Sequence, residues 1–133
     1  MRGDSVVRPA YAVVVLTPKS VGEDYCYVTT TGRVTGKPHT IEIWFAVDGD
    51  TLYILAGGGE RADWVRNLRK EPDAMVRIGD VDYRARGRII DAGSEEDGRA
   101  RRLVLAKYAP SNSGLDDWGR TALAIALDLG TTG

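Results

Sequence analysis

A mainly β domain, with antiparallel strands and a few short helices closed into a small barrel or sandwich, is the fold class this 133-residue chain predicts. Three observations carry that reading. Apolar and polar residues alternate with period two from Thr40 to Val47, the turn Asp48-Gly49-Asp50 joins that run to a second one at Thr51 to Ala56, and two stretches of helical spacing interrupt the strands.

The elements follow in order. Residues 1–24 read as an N-terminal arm or edge strand: "AYAVVVL" is β-branched, but Pro9 and Pro18 bracket it and disfavour a central strand. From residue 25 to 133 a single domain is expected. "YCYVTT" is a strand that leads into "TTTGRVTGKPH", and Thr40–Val47 follows, with Ile41, Ile43, Phe45 and Val47 on one face and Glu42, Trp44 and Ala46 on the other. Gly49 suits the positive φ of a tight hairpin to "TLYILA". Three glycines then precede a helix that begins near Asp63, has Trp64, Val65 and Leu68 on one face, and stops before Pro72.

Two more strands are expected at Ala74–Ile78 and Asp82–Asp91, with Arg84, Arg86 and Arg88 on one face of the second. That arginine stripe is either a solvated sheet face or a landing surface for a polyanionic tail or a dimer partner. A second helix starts at the N-cap Ser94, with acids in its first turn and apolar surface from Leu103, Leu105 and Ala106. "DDWGRTALAIALDL" begins helically and ends as a final strand.

Composition narrows the function. With 43% hydrophobic and 28% charged residues and a net charge of −1, bulk electrostatics favour neither nucleic acid nor an anionic membrane, so any anion site is local. Ala10 to Leu16 is too short to span a bilayer and no cleavage pattern follows it, so a cytoplasmic protein without an integral membrane segment is expected. One cysteine, Cys26, and one histidine, His39, exclude an intrachain disulfide and the usual zinc constellations. Cys26, in an apolar run, reads as a buried small hydrophobe.

No nucleophile elbow and no GxxxxGK[ST] loop is present, so an enzyme of this sequence depends on a bound cofactor for its reactive atom. The stretch from Thr29 to His39 suits one end of such a cofactor. Gly32 and Gly36 can turn amides toward an anion, Arg33 and Lys37 supply charge-assisted donors, and Thr31 and Thr35 add hydroxyls. The alternative is a long, merely solvated hairpin loop. Gly57, Gly58 and Gly59 ahead of a helix could likewise expose amides or form a plain turn, and Trp64 could stack on a ligand or join the core.

Together, "TTTGRVTGKPHTIEIWFAVDGDTLYILAGGGERADWVRNLRKEP" and "DDWGRTALAIALDL" resemble the deazaflavin-dependent nitroreductase family of small F420-dependent reductases, in the split-barrel flavin-binding superfamily. The likeness runs from about Tyr25 to Leu129. It implies an antiparallel split β-barrel, FMN-binding split-barrel-like, with two or three short helices, acting as a homodimer. It also implies that hydride passes from reduced F420 to a small acceptor, such as a quinone, nitroaromatic or enone. By the same match, Arg33, Val34, Thr35, Gly36 and Lys37 hold the phosphate end, with His39 where the family often has arginine. Ala56, Gly57, Gly58 and Gly59, with Trp64 and Asn67, line the deazaflavin ring. Tyr108 and Trp118 are the candidates for an aromatic proton donor or lid. FMN on the same contacts, or a noncatalytic carrier of F420 or a hydrophobic ligand, are the competing expectations.

Overall fold

The structure, a computed structural model, describes residues 16–130. The expected arm or edge strand over residues 1–24 lies outside the described residues as far as residue 15. Beyond it, Pro18–Val21 (α1) forms one helical turn whose first amides are capped by Thr17, with Oγ1 accepting from the Ser20 amide at 3.1 Å. No helix among the described residues is long and apolar enough to cross a membrane.

Seven strands form one antiparallel sheet. In chain order they are β1 (Cys26–Thr31), β2 (Pro38–Ile43), β3 (Ala46–Asp48), β4 (Thr51–Ala56), β5 (Asp73–Ile78), β6 (Val81–Ile89) and β7 (Leu123–Gly130). They pair in the order β2-β1-β5-β6-β7-β4-β3, so the two edges of the sheet are the consecutive strands β2 and β3. Only Trp44 and Phe45 connect them. Three Cα steps span at most about 11 Å, so the edges must curl toward each other, leaving a split where a closed barrel would have a ladder.

That crossing corrects the expected strand Thr40–Val47, which breaks after Ile43 and restarts at Ala46 on the opposite edge. The reason is visible at Phe45, whose ring is fully buried in the barrel interior and whose amide donates to Tyr108 Oη at 3.0 Å instead of to a neighbouring strand. The Tyr108 hydroxyl donates in turn to a carbonyl, with Asp24 O at 2.7 Å and Phe45 O at 3.0 Å in reach. Lys107 sits 3.7 Å above the Phe45 ring centroid and donates to the carbonyls of Val21 and Glu23.

The helices are α2 (Asp63–Lys70), α3 (Glu95–Tyr108) and α4 (Asp116–Thr121), with a 3₁₀ turn at Gly59–Arg61. Two cores result. Cys26, Val28, Ile54, Val76, Ile78 and Leu127 fill the barrel, and α2 closes it with Val65 and Leu68. Gly87 on β6 permits the close approach of α2, because a Cβ there would lie 2.7 Å from Leu68 Cδ2. The second core lies between α3 and the outer face of β3, β4 and β7, built from Tyr53, Leu55, Val104, Tyr108 and Ala126. Covered on both faces, β4 and β7 read as continuous apolar runs rather than alternating ones. Each large apolar side chain buried here contributes about 1.5–3 kcal/mol.

The apolar face of α3 also differs from the expectation. Ala100, Val104 and Tyr108, spaced four apart, are the buried positions, whereas Leu103 and Leu105 are half-buried and Ala106 is exposed. The Ser94 cap is as expected, with Oγ accepting from the Asp97 amide at 3.1 Å. Arg88 anchors the start of α3 through Glu96, whose carboxylate also accepts from Tyr53 Oη, and Arg88 reaches Asp128 as well. The arginine stripe therefore divides: Arg86 pairs with Asp73 and Arg88 is committed to this network, while Arg84 has no ion-pair partner among the described residues.

Candidate functional site

Two clefts meet along edge strand β2. The first, of about 390 Å³, is lined by Gly32, Arg33, Val34, Thr35, His39, Ile41, Asp63, Trp64 and Asn67. It joins the loop after β1 to the first turn of α2, and Asn67 is the hinge between them. That amide is buried, at 3% exposure, and a buried polar group has to be paired. Its Oδ1 accepts from the Arg33 amide at 3.1 Å and from Arg33 Nη1 at 3.0 Å, while Nδ2 donates to Thr30 Oγ1 at 3.2 Å.

Arg33 is thus aimed, and its Nη2 reaches Asp63 Oδ1 at 3.2 Å. The Asp63 side chain is 83% exposed, so this ion pair is worth little, and an incoming anion can compete for the guanidinium. Lys70 donates to the Arg33 carbonyl at 3.2 Å and brings another positive charge to the loop. Lys37 is exposed and has no side-chain hydrogen bond among the described residues.

The loop amides behave differently from the expectation. Gly32 N donates to Lys37 O and Gly36 N to Gly32 O, both at 2.8 Å, so neither is available to an anion. The tight turn uses them internally. Among the described residues, the amides of Val34 and Thr35 make no hydrogen bond, and both residues line the cleft, with Val34 87% exposed.

The second cleft, of about 430 Å³, is lined by Tyr25, Glu42, Ile43, Trp44, Leu55, Gly57, Leu115 and Trp118. It opens at the split, where the end of β2 faces the end of β4. Trp44 stacks on Tyr108 with ring centroids 4.3 Å apart and meets Trp118 edge-on at 5.8 Å. Of the glycine triplet, Gly59 has φ 60 and needs glycine for its backbone. Gly57 does not; a Cβ there would stand 3.5 Å from Trp118 Nε1 and take up space in the cleft.

The expected site residues are therefore divided. Arg33, Val34, Thr35 and His39 share the first cleft with Trp64 and Asn67, and Gly57 shares the second with Trp118, whereas Gly36, Lys37, Ala56, Gly58 and Gly59 line neither and Ala56 is buried in the barrel core. Tyr108, expected as a proton donor or lid, is 5% exposed, and burial pushes its hydroxyl up to about 12. Its place is beneath Trp44, bridging backbone groups. Cys26 is buried as expected, and burial pushes its thiol up to about 12.

Sequence reading missed Tyr25, Glu42, Trp44, Leu115, Asp63 and Thr30. One signal was present for Trp44: a tryptophan on the supposedly polar face of a period-two strand has to be explained by something that covers it.

With this geometry in view, the comparisons with known proteins are specific. A model of the F420H2-dependent quinone reductase family matches residues 8–124. The chain belongs to that family. The F420H2-dependent quinone reductase Rv1261c of Mycobacterium tuberculosis is 40% identical over 53 residues, 38% of this chain and 36% of that protein, so the match spans about a third of the relative's length. A solved F420H2-dependent reductase superposes with a TM-score of 0.65 at 19% identity, covering 78% of this chain and 93% of the other. The haem storage protein HutZ of Vibrio cholerae shares the fold at TM-score 0.68 and 13% identity, over 86% of each chain. The architecture is accordingly that of the split-barrel reductases.

The residues present fit a long cofactor with an anionic end. The first cleft offers a guanidinium suited to a phosphate and is lined by Val34 and Thr35, whose amides have no partner among the described residues. The second offers flat aromatic walls and, at Gly57, room that a side chain would fill.

Proposed function

We propose that this chain binds F420 across the two clefts and reduces a small planar acceptor at the aromatic one. One observation carries the reading: the cationic loop and the aromatic cleft border successive positions along one edge strand and the crossing that follows it, His39–Ile41 on the first and Glu42, Ile43 and Trp44 on the second. At about 3.3 Å per residue, His39 to Trp44 spans roughly 16 Å, a length for one extended ligand rather than two unrelated ones.

In this reading Arg33, the Val34 and Thr35 amides, Lys37 and His39 take the phosphate and the start of the glutamyl tail. Ala56, Gly57, Gly58 and Gly59 border the deazaflavin ring. Asn67 acts through Arg33 as a positioning residue, and Trp64, half-buried against the barrel core, forms the wall between loop and ring. Bound in its reduced form, F420 supplies a hydride.

The protein's contribution is orientation. Trp44, held by Tyr108, and Trp118, held on α4, form perpendicular walls that keep a flat acceptor in one plane and limit water around it. Trp118 lines the acceptor's place, while the Tyr108 hydroxyl is occupied by backbone groups. A quinone, nitroaromatic or enone fits these walls, and its accompanying proton comes from solvent.

A homodimer is the assembly we infer. The outer face of β1 and β5 presents Tyr27 and Met75, 40% and 38% exposed, beside Arg84, which has no ion-pair partner among the described residues, a surface of mixed character suited to a second copy. Sedimentation of the purified protein checks this.

The test of function is direct. F420 and FMN are titrated separately into the protein and followed by fluorescence, and reduced F420 is then incubated with menadione, a nitroimidazole and cyclohexenone. Tight F420 binding with oxidation of the coenzyme by at least one acceptor is expected. Tighter FMN binding overturns the cofactor assignment, and F420 binding with no oxidation by any acceptor marks a carrier.

A further inference from the structure

The aromatic cleft has a charge character that planar stacking alone does not require. Its lining includes three aromatic side chains, Tyr25, Trp44 and Trp118, and one carboxylate, that of Glu42, with no basic side chain among the described residues. Glu42 is exposed at the rim, accepts from Tyr27 Oη through Oε2 at 2.7 Å, and has no partner on Oε1 among the described residues.

The surroundings reinforce this sign. Asp24 precedes Tyr25, and Asp116 lies two residues before Trp118. Three cations of α3 and α4 are committed to other partners: Lys107 to the Val21 and Glu23 carbonyls, Arg101 to Asp97 and the Gly119 carbonyl, and Arg120 to Asp117. Perpendicular indole walls with a carboxylate at the mouth form the arrangement that attracts a cation to ring faces.

We propose that the aromatic cleft selects planar aromatic cations, and that acceptors carrying a positive charge, such as N-alkylated heteroaromatics, are its preferred substrates. The inference rests on the reading of this cleft as the acceptor's place. Its chemistry suits a site with no dedicated acid. An N-alkylated ring such as 10-methylacridinium takes a hydride at C9; the new C–H bond uses the hydride's electron pair, the π pair of the ring C=N bond moves onto nitrogen, and the positive charge is lost. No proton enters the product. The one proton left over from the reduced deazaflavin goes to water. A neutral quinone, by contrast, must acquire a proton as well as a hydride.

The test uses 10-methylacridinium and its uncharged counterpart acridine, at mildly alkaline pH where acridine carries no proton. Each is titrated into the full chain without cofactor, and binding is read from quenching of fluorescence. The cation is expected to bind about tenfold more tightly. In Glu42→Gln that preference should shrink several-fold, and in Glu42→Lys it should vanish or reverse; both changes are at an exposed position and leave the core intact.

Equal affinity for the two ligands, or a preference indifferent to both substitutions, would overturn the proposal. Reduced F420 is supplied in a separate arm. Oxidation by menadione with no preference for the acridinium sinks this inference and leaves the reductase reading standing. Support requires both a Glu42-dependent preference in the cofactor-free titration and faster oxidation of reduced F420 by the acridinium than by menadione.

Discussion

The two clefts on either side of β2 are built in opposite ways. The cationic cleft is made from short-range pieces: a loop of six residues between β1 and β2, and one turn of α2 pinned to it by Asn67. The aromatic cleft draws on separate parts of the chain, with Tyr25 ahead of β1, Trp44 at the barrel crossing, Gly57 after β4 and Trp118 on α4. One is a local motif held by hydrogen bonds, the other a product of the fold held by ring packing. Changes at the exposed cations of the first should therefore alter ligand binding and leave stability nearly untouched, whereas changes beneath the second should disturb both.

The largest effect expected is on the cationic side. Replacing Arg33 and Lys37 together by alanine should weaken F420 binding by about 3 kcal/mol or more, since each charge-assisted contact is worth roughly 1.5–3. That corresponds to about a hundredfold rise in Kd, measured by fluorescence titration. An unchanged Kd would remove the cationic cleft from cofactor binding and break the comparison at its first term.

Tyr108→Phe comes next, and tests the other side. It removes the hydroxyl that serves Phe45 and a carbonyl at the crossing, leaving a buried amide unpaired at a cost of about 2 kcal/mol. Urea unfolding should show the loss, while the ring that stacks on Trp44 is retained. Asn67→Ala should cost less at the cofactor, about 1–2 kcal/mol, because Arg33 remains but is no longer aimed; a Kd equal to that of the unaltered protein would deny Asn67 its positioning role.

The smallest effect sharpens the comparison from a distance. Glu96 holds α3 to the sheet, and the Arg88 guanidinium beside it keeps its carboxyl down to about 2. A carboxyl lowered in the folded state contributes stability above its unfolded value, near 4.5, and loses it as pH falls toward 2. Glu96→Gln should therefore destabilise the protein by about 1 kcal/mol at neutral pH and flatten the acid limb of its stability profile, allowing for the pair's exposure to solvent. Because α3 carries Tyr108, the aromatic cleft should loosen before the cationic one on acidification, as separate titrations of the two would show.

Legibility in the sequence followed the same division. Spacing along one loop groups Arg33, Thr35 and His39, and spacing along one helix groups Trp64 and Asn67, but it is the Arg33–Asn67 hydrogen bonds, across 34 residues, that join them in a single cleft. The break at Trp44 and Phe45 was not legible, since period-two alternation runs unbroken through it and only the buried Tyr108 hydroxyl, 63 residues away, shows why the chain turns there. The roles of Gly32 and Gly36 were misread for a related reason: a glycine-rich loop announces freedom, but whether its amides face a ligand or each other depends on how tightly the turn closes.

By itself, then, the amino-acid order determined the strands that alternate, the hairpin at Gly49, the cap at Ser94, the loop of cations and the family to which the chain is akin, because each is decided by neighbours within a few residues. Only the tertiary structure decided that β2 and β3 would be opposite edges, that two tryptophans and a tyrosine would wall one cleft, and that Glu42 would stand at its mouth. Those arrangements depend on contacts between segments far apart in the chain, and no local pattern encodes which distant ring will cover an exposed one.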